Sequence, residues 1–203
     1  MTKPWLEHYP KHVPAEIDLN EFGSVVDVID RSCRDYAQRV AFVNFGATLT
    51  YEQIDQHSAA FGAYLQSLGL RKGDRVAIMM PNLLQYPIAV FGALRAGLVV
   101  VNTNPLYTAR ELKHQLKDSG AKAIVILENF AHVLEAVIHD TQVEHVVVTS
   151  VGDMVGSLKG SVMNFVLRHI KKAVPAYRLS KAVSFTKALK DCPPQSLKKS
   201  DLT

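Results

Sequence analysis

RVAIMMPNLLQYPIAVFGALRAGLVVVNTNPLYTARELKHQLKDSGAKAIVIL, residues 75–127, decides the fold. Three short apolar runs, 76–79, 98–101 and 123–127, alternate with two segments long enough for helices, the first run following Arg75 at the start of its strand. Asn82 and Gln85 have the N-cap and N3 spacing of a helix expected to run to Ala96, with Gly97 at its C′ position. Thr108 and Glu111 repeat that spacing for a helix ending near Gly120. Strands that read as continuous apolar runs and alternate with such helices are the mark of βαβ crossovers, in a largely parallel sheet flanked by helices. Residues 76–94 carry no charge and are numerous enough to span a bilayer, but Pro81-Asn82 and Pro87 break them into strand, turn and helix.

The same rhythm extends outward on both sides. Ser24 is placed to cap a helix over 25–38, and AFVNFGATLTY reads as a β-hairpin turning near Asn44 to Gly46. Thr50 and Gln53 form a second capping-box pattern, for a helix through Leu68 that Gly69 closes. Asn129 is expected to start a helix reaching about His139, and 145–149 is a further strand. The chain therefore divides into a Pro-containing arm over 1–24, a layered α/β unit over 25–150, and a different kind of segment over 151–203.

That last segment differs in charge. Residues 1–150 hold 13 basic and 16 acidic groups, whereas 151–203 hold 10 basic and 3 acidic, so the overall +4 conceals a net +7 in the final quarter. Residues 155–173, VGSLKGSVMNFVLRHIKKA, carry apolar side chains at helical spacing (Leu158, Val162, Phe165, Val166, Ile170, Ala173) opposite Ser161, Asn164, Arg168, Lys171 and Lys172. One reading attaches this helix to an anionic membrane through its apolar face and Arg168, Lys171 and Lys172. The other docks it on the protein with its charges in water. Pro175 ends the helix, and the remainder, with Pro193-Pro194, reads as a weakly ordered linker. Nucleic acid is disfavoured as a partner, because the basic residues lack interleaved aromatics for base stacking.

The residues offer little self-contained chemistry. None of the 11 glycines neighbours another, and neither GxGxxG nor GxxxxGK[ST] occurs, so a phosphate cradle of either kind is not expected. Neither HExxH nor GxSxG is present, and Asp27 with Asp30 falls on a solvent face. No catalytic residue and no metal site is assigned. Cys33 and Cys192 read as two reduced thiols, and the amino terminus lacks an apolar signal region, which together suggest a cytoplasmic chain. The basic helix adds the expectation of peripheral contact with the inner face of the cell membrane.

Several segments resemble the acyl-adenylate-forming enzymes, and among them the bacterial long-chain fatty-acid–CoA ligases. LTYEQID (49–55) is similar to an early L-T-Y-x-E-L segment, with Gln53 and Ile54 where Glu and Leu are commoner. GDRVAIMMPN (73–82) and ALRAGLVVVNTNPLYTARELKHQLKDSGAK (93–122) resemble the two core segments of the fatty-acyl branch, in the same order. VMNFVLRHIKKAVPAY (162–177) is similar to a stretch typical of the bacterial long-chain enzymes.

The resemblance implies an incomplete N-terminal domain of a ligase that uses ATP, Mg2+ and CoA to convert a fatty acid to acyl-CoA through acyl-AMP. The Ser/Thr/Gly-rich phosphate loop, the aromatic-Thr-Glu motif, the ribose-binding Asp and the catalytic Lys of such enzymes are not in this sequence. Asp201-Leu202-Thr203 stands about where the lead-in to that loop would begin. The chain is therefore expected to be inactive alone, to bind none of these cofactors tightly, and to have the remainder of the same enzyme as its partner. Asn104, Pro105 and Tyr107 follow the strand 98–101 at its C-terminal end, where open α/β sheets bind ligands. They read either as a wall of the acyl or adenylate cleft or as a turn with Tyr107 packed against a helix. The alternative function is a stand-alone, non-catalytic acyl-chain or membrane-surface binding module. An isolated half-sheet is also expected to leave an unpaired edge and an uncovered apolar face, favouring aggregation.

Overall fold

The alternation over residues 75–127 becomes the centre of a parallel sheet in the computed structural model, which describes residues 3–198. Lys199 and the Asp201–Thr203 lead-in lie outside the described residues. In chain order the elements begin with α1 (Val25–Asp35), the hairpin strands β1 (Val40–Asn44) and β2 (Ala47–Thr50), and α2 (Tyr51–Ser67). Then come β3 (Arg75–Met79), α3 (Gln85–Arg95), β4 (Val99–Asn102), α4 (Ala109–Ser119), β5 (Ala123–Leu127), α5 (Ala131–Glu135) and β6 (His145–Thr149). The last are α6 (Ser157–Phe165), β7 (Val183–Ser184) and α7 (Phe185–Asp191). The sheet order is β4-β3-β5-β6-β7, all parallel, and β1-β2 form a separate antiparallel pair.

Side chains alternate across this sheet as the two-residue strand period requires. Val76, Ile78 and Val125 face a core shared with Ile54, Phe61 and Leu65 of α2, Ile88 of α3 and Phe185 of α7. Ala77, Met79, Ile124 and Ile126 face the opposite core, built with Leu112 and Leu116 of α4 and Leu134 of α5. Both faces are therefore covered, which corrects the expectation of an uncovered apolar face. The strand edge is as expected: β4 pairs only with β3 among the described residues, and Val99 on it is exposed.

Three caps hold as read. The Ser24 side chain accepts from the Asp27 amide, and both Thr50/Gln53 and Thr108/Glu111 close reciprocal capping boxes. The hairpin turns on Phe45 (φ 48°) and Gly46 (φ 73°), the paired left-handed conformation that matches the twist of two antiparallel strands.

Four local expectations are corrected. The helix read over 25–38 ends at Asp35. Asn82 does not cap α3; Leu84 occupies the N-cap without a side-chain bond, because the burial of Leu83 and Leu84 fixes the entry and turns Gln85 inward. The helix expected from Asn129 to His139 breaks into a 3-10 turn (Glu128–Phe130), α5 and a second 3-10 turn (Ile138–Asp140). Asn129 is not free to cap, since its amide donates to the Ala173 carbonyl at 2.8 Å. Finally, the supposed linker after Pro175 continues the sheet: β7 pairs with β6, Ser184 caps α7, and Phe185 is fully buried with its ring centroid 5.0 Å from that of Phe61.

Candidate functional site

The strand order contains a reversal. From β3 the chain crosses to β4 on one side, then passes back over β3 to β5 on the other. Open α/β sheets bind ligands where such crossovers diverge, outside the carboxyl ends of the strands. Here that position lies between the segments following β3 and β5, and it extends to the end of β6.

A buried polar network fills this edge. Gln85, at the start of α3 and 1% exposed, donates to the Thr149 hydroxyl (3.1 Å) and to the Ser150 carbonyl (2.8 Å). Asp153 accepts from the Ser150 amide at 2.8 Å and from the Thr149 hydroxyl at 3.0 Å. Asn164 on α6 accepts from the Gly152 amide at 2.8 Å and donates to Asp153 at 3.3 Å. Gly152 and Gly160 allow this approach, because a Cβ on either would collide with the other's backbone.

Glu128 immediately follows β5. Its side chain is 2% exposed, and Oε2 accepts from Arg168 Nη2 at 2.6 Å and Nε at 2.9 Å. Arg168 also donates to the Ser150 hydroxyl at 2.9 Å, so one guanidinium ties the ends of β5 and β6 to the segment after α6. The bond to Glu128 pushes the Arg168 pKa up and holds it charged, while burial raises that of the Tyr177 phenol beside the pair. Among the described residues, Glu128 Oε1 and Asn129 Oδ1 are buried acceptors without a donor.

The basic amphipathic segment comprises α6 followed by a π-helical turn (Val166–Ile170), shorter than the 155–173 read from its pattern. It docks through a mixed side, with Gly160 buried and Met163, Asn164, Val166 and Leu167 half-buried. Gly160, Asn164 and Arg168 face the body, while Leu158 (79%), Val162 (56%), Phe165 (57%) and Ile170 (64%) are exposed. Arg168 is thus engaged by an internal carboxylate, whereas Lys171 and Lys172 are exposed and make no ion pair among the described residues. The segment is docked on the protein, with Arg168 bound internally instead of lying in water, and several of its apolar side chains are exposed.

Asn104, Pro105 and Tyr107 follow the edge strand β4, which pairs with β3 on the side away from β5. The Asn104 side chain accepts from the Leu106 amide at 3.0 Å, and its carbonyl accepts from the Tyr107 amide at 3.1 Å, so these residues form a turn. Tyr107 packs against the core beneath α4 and lines an open groove with Thr108, Glu111, His114 and Gln115.

The described residues do not fit a nucleotide by themselves. Their left-handed glycines are separated from one another, so no run of amides converges on one point, and the guanidinium at the reversal is already occupied by Glu128. No group of three or more His, Cys, Asp or Glu among them is placed to hold a metal ion, and none of their helices is long and apolar enough to cross a membrane. Cys33 and Cys192 are free thiols.

Sequence reasoning missed Glu128, Gln85 and Asp153. The available signal was positional: a glutamate directly after the wholly apolar strand AIVIL, and a glutamine inside an apolar helix, are polar groups that burial forces into partnership.

Comparison with known proteins agrees with this architecture. Residues 29–202 match the family model described as AMP-binding enzyme. The chain is 56% identical over 190 residues to the long-chain-fatty-acid–CoA ligase of Escherichia coli O6:H1, covering 93% of this chain and 34% of that protein. It is 40% identical over 126 residues to the ligase of the same name from Bacillus subtilis, covering 62% of this chain and 22% of that one. The anthranilate CoA ligase AuaEII with anthranoyl-AMP superimposes with a TM-score of 0.69 at 19% identity, covering 86% of this chain and 29% of that chain. A long-chain-fatty-acid-CoA ligase from Archaeoglobus fulgidus gives 0.61 at 20% identity, covering 83% and 30%; both likenesses concern the fold alone. The chain thus spans about a third of the length of the curated relatives it matches. With the family match extending over most of its length, the chain belongs to the AMP-binding enzymes.

Proposed function

We propose that this chain is the N-terminal part of a long-chain fatty-acid–CoA ligase, which activates a fatty acid with ATP to acyl-AMP and then transfers the acyl group to CoA. The observation that carries this reading is the 56% identity to a bacterial ligase of that name over 93% of the chain. ATP, Mg2+ and CoA belong to the whole enzyme. The phosphoryl charge that develops in the first step needs cationic and magnesium stabilisation, and the described residues of this chain offer no cradle for it. Its contribution is structural: a sheet with both faces packed, whose carboxyl edge is closed by the Glu128–Arg168 tether. On this reading the chain alone is inactive.

Contact with an anionic membrane surface is the second part of the proposal. Fatty acids partition into bilayers, and the apolar side chains of α6 with exposed Lys171 and Lys172 supply both interactions that hold a peripheral helix at a lipid surface.

A chimera tests the enzymatic reading. This chain replaces the aligned third of the E. coli O6:H1 ligase, and acyl-CoA formation is measured across fatty-acid lengths. Activity on long-chain acids supports the proposal; a folded chimera active only on short or aromatic acids contradicts it.

A further inference from the structure

The orientation of α6 calls for an explanation. Its apolar stripe is the side that hydrophobic burial ordinarily turns inward. Instead, Arg168 and Asn164 bind the polar groups at the ends of β5 and β6, and Gly160 lies against Gly152. A helix anchored through these three contacts presents the opposite side to the exterior.

We infer that Arg168, with Asn164, is a positioning latch that holds α6 with Leu158, Val162, Phe165 and Ile170 outward, and that this outward face docks on an anionic lipid bilayer. The inference rests on the membrane part of the proposed function and deepens it, by moving Arg168 from the lipid contact to the internal tether. Charge complementarity selects the occupant. Residues 154–190 contain eight Lys or Arg and no Asp or Glu. Among the described residues Arg168 is neutralised by Glu128, Lys187 is paired with Asp191, and Lys171 and Lys172 beside Ile170 are exposed without an ion pair. An exposed apolar stripe flanked by lysines matches the acyl and headgroup layers of such a bilayer. The hairpin tip stands beside it: Lys159 on α6 donates to the Phe45 carbonyl at 2.5 Å, and Val43 and Phe45 are exposed as well.

The test uses the 203-residue chain with phosphatidylglycerol/phosphatidylcholine vesicles and, in parallel, pure phosphatidylcholine vesicles. Phe165→Ser should weaken partitioning to anionic vesicles by about tenfold, the order expected for losing one buried aromatic side chain. Lys171→Glu with Lys172→Glu should abolish the preference for anionic over neutral vesicles. The latch is tested by the sign of two further variants. If Arg168 positions the helix, Arg168→Gln and Glu128→Gln both weaken partitioning to a similar extent. If Arg168 instead met the headgroups, releasing it by Glu128→Gln would strengthen binding while Arg168→Gln weakened it, and that opposite-sign result, or no effect of either, overturns the latch.

A fluorescence measurement keeps the test independent of variant stability. With the single tryptophan replaced (Trp5→Phe), Phe165→Trp should shift to the blue on adding anionic vesicles, and His114→Trp, at an exposed position on α4 outside this face, should not; the reverse pattern overturns the orientation. Wild-type chain that binds no vesicles, or self-associates through this face instead, overturns the membrane part of the proposed function as well. Binding with the wrong face or the wrong sign overturns only the latch.

Discussion

Arg168 Nη2 lies 2.6 Å from Oε2 of Glu128, joining a half-exposed guanidinium on the segment after α6 to a carboxylate buried at the end of β5. The pair is asymmetric. Removing the arginine leaves a buried anion unpaired, whereas removing the anion leaves a cation that can reach water.

Arg168→Met should accordingly destabilise the chain by about 1–3 kcal/mol, the cost of stranding a buried acceptor whose former partner was only half-buried. Adding Glu128→Gln to Arg168→Met should recover part of that loss. Urea unfolding of the two variants checks this, with faster amide exchange over 157–170 expected in both.

Gln85 separates two accounts of the start of α3. As an exposed capping residue it would tolerate leucine with little effect. Its amide instead donates to Thr149 and Ser150 inside the molecule. Gln85→Leu should therefore cost about 1–3 kcal/mol in denaturant unfolding, because the Ser150 carbonyl loses its buried donor.

Gly160→Ala adds a methyl group where the Gly152 carbonyl already sits. The expected loss is about 1–3 kcal/mol, with α6 displaced from residues 150–153 rather than the sheet disrupted. Amide exchange should rise over 157–170 and stay unchanged in β3 and β5; protection lost throughout would mean that α6 is integral to the core.

Asp74 carries a pH signature. Hydrogen bonds from Lys122 (2.8 Å) and the Arg71 amide (2.9 Å) hold its carboxyl below the usual aspartate range. A depressed carboxylate stabilises the fold above its unfolded pKa of about 3.9, and that contribution is lost as pH falls through the lower folded value. Asp74→Asn should cost less than about 1 kcal/mol at pH 7 after solvent screening. The gap from wild type should close as pH falls from about 5 toward 2. A gap independent of pH would remove Asp74 from the acid response.

The strands β3 to β6 were legible because each holds a short apolar run between segments with helix-start signals, and each of those signals acts within a few residues. Thr50/Gln53 and Thr108/Glu111 needed nothing from elsewhere in the chain. Gln85 misled because its spacing from Asn82 imitates a cap, while the atoms it binds lie 64 and 65 residues away. Glu128 and Arg168 are 40 apart, beyond any local pattern, and β7 is only two residues long. The amphipathic pattern over 155–173 located a helix correctly but could not say which side faces the protein. That choice is made by Arg168, Asn164 and Gly160 together.

The most direct measurement is fatty-acid-dependent exchange of pyrophosphate into ATP, made on the isolated chain and on the chimera under identical conditions. The account predicts no exchange above background by the isolated chain and long-chain-acid-dependent exchange by the chimera. Exchange by the isolated chain, or a folded chimera without it, would contradict the account.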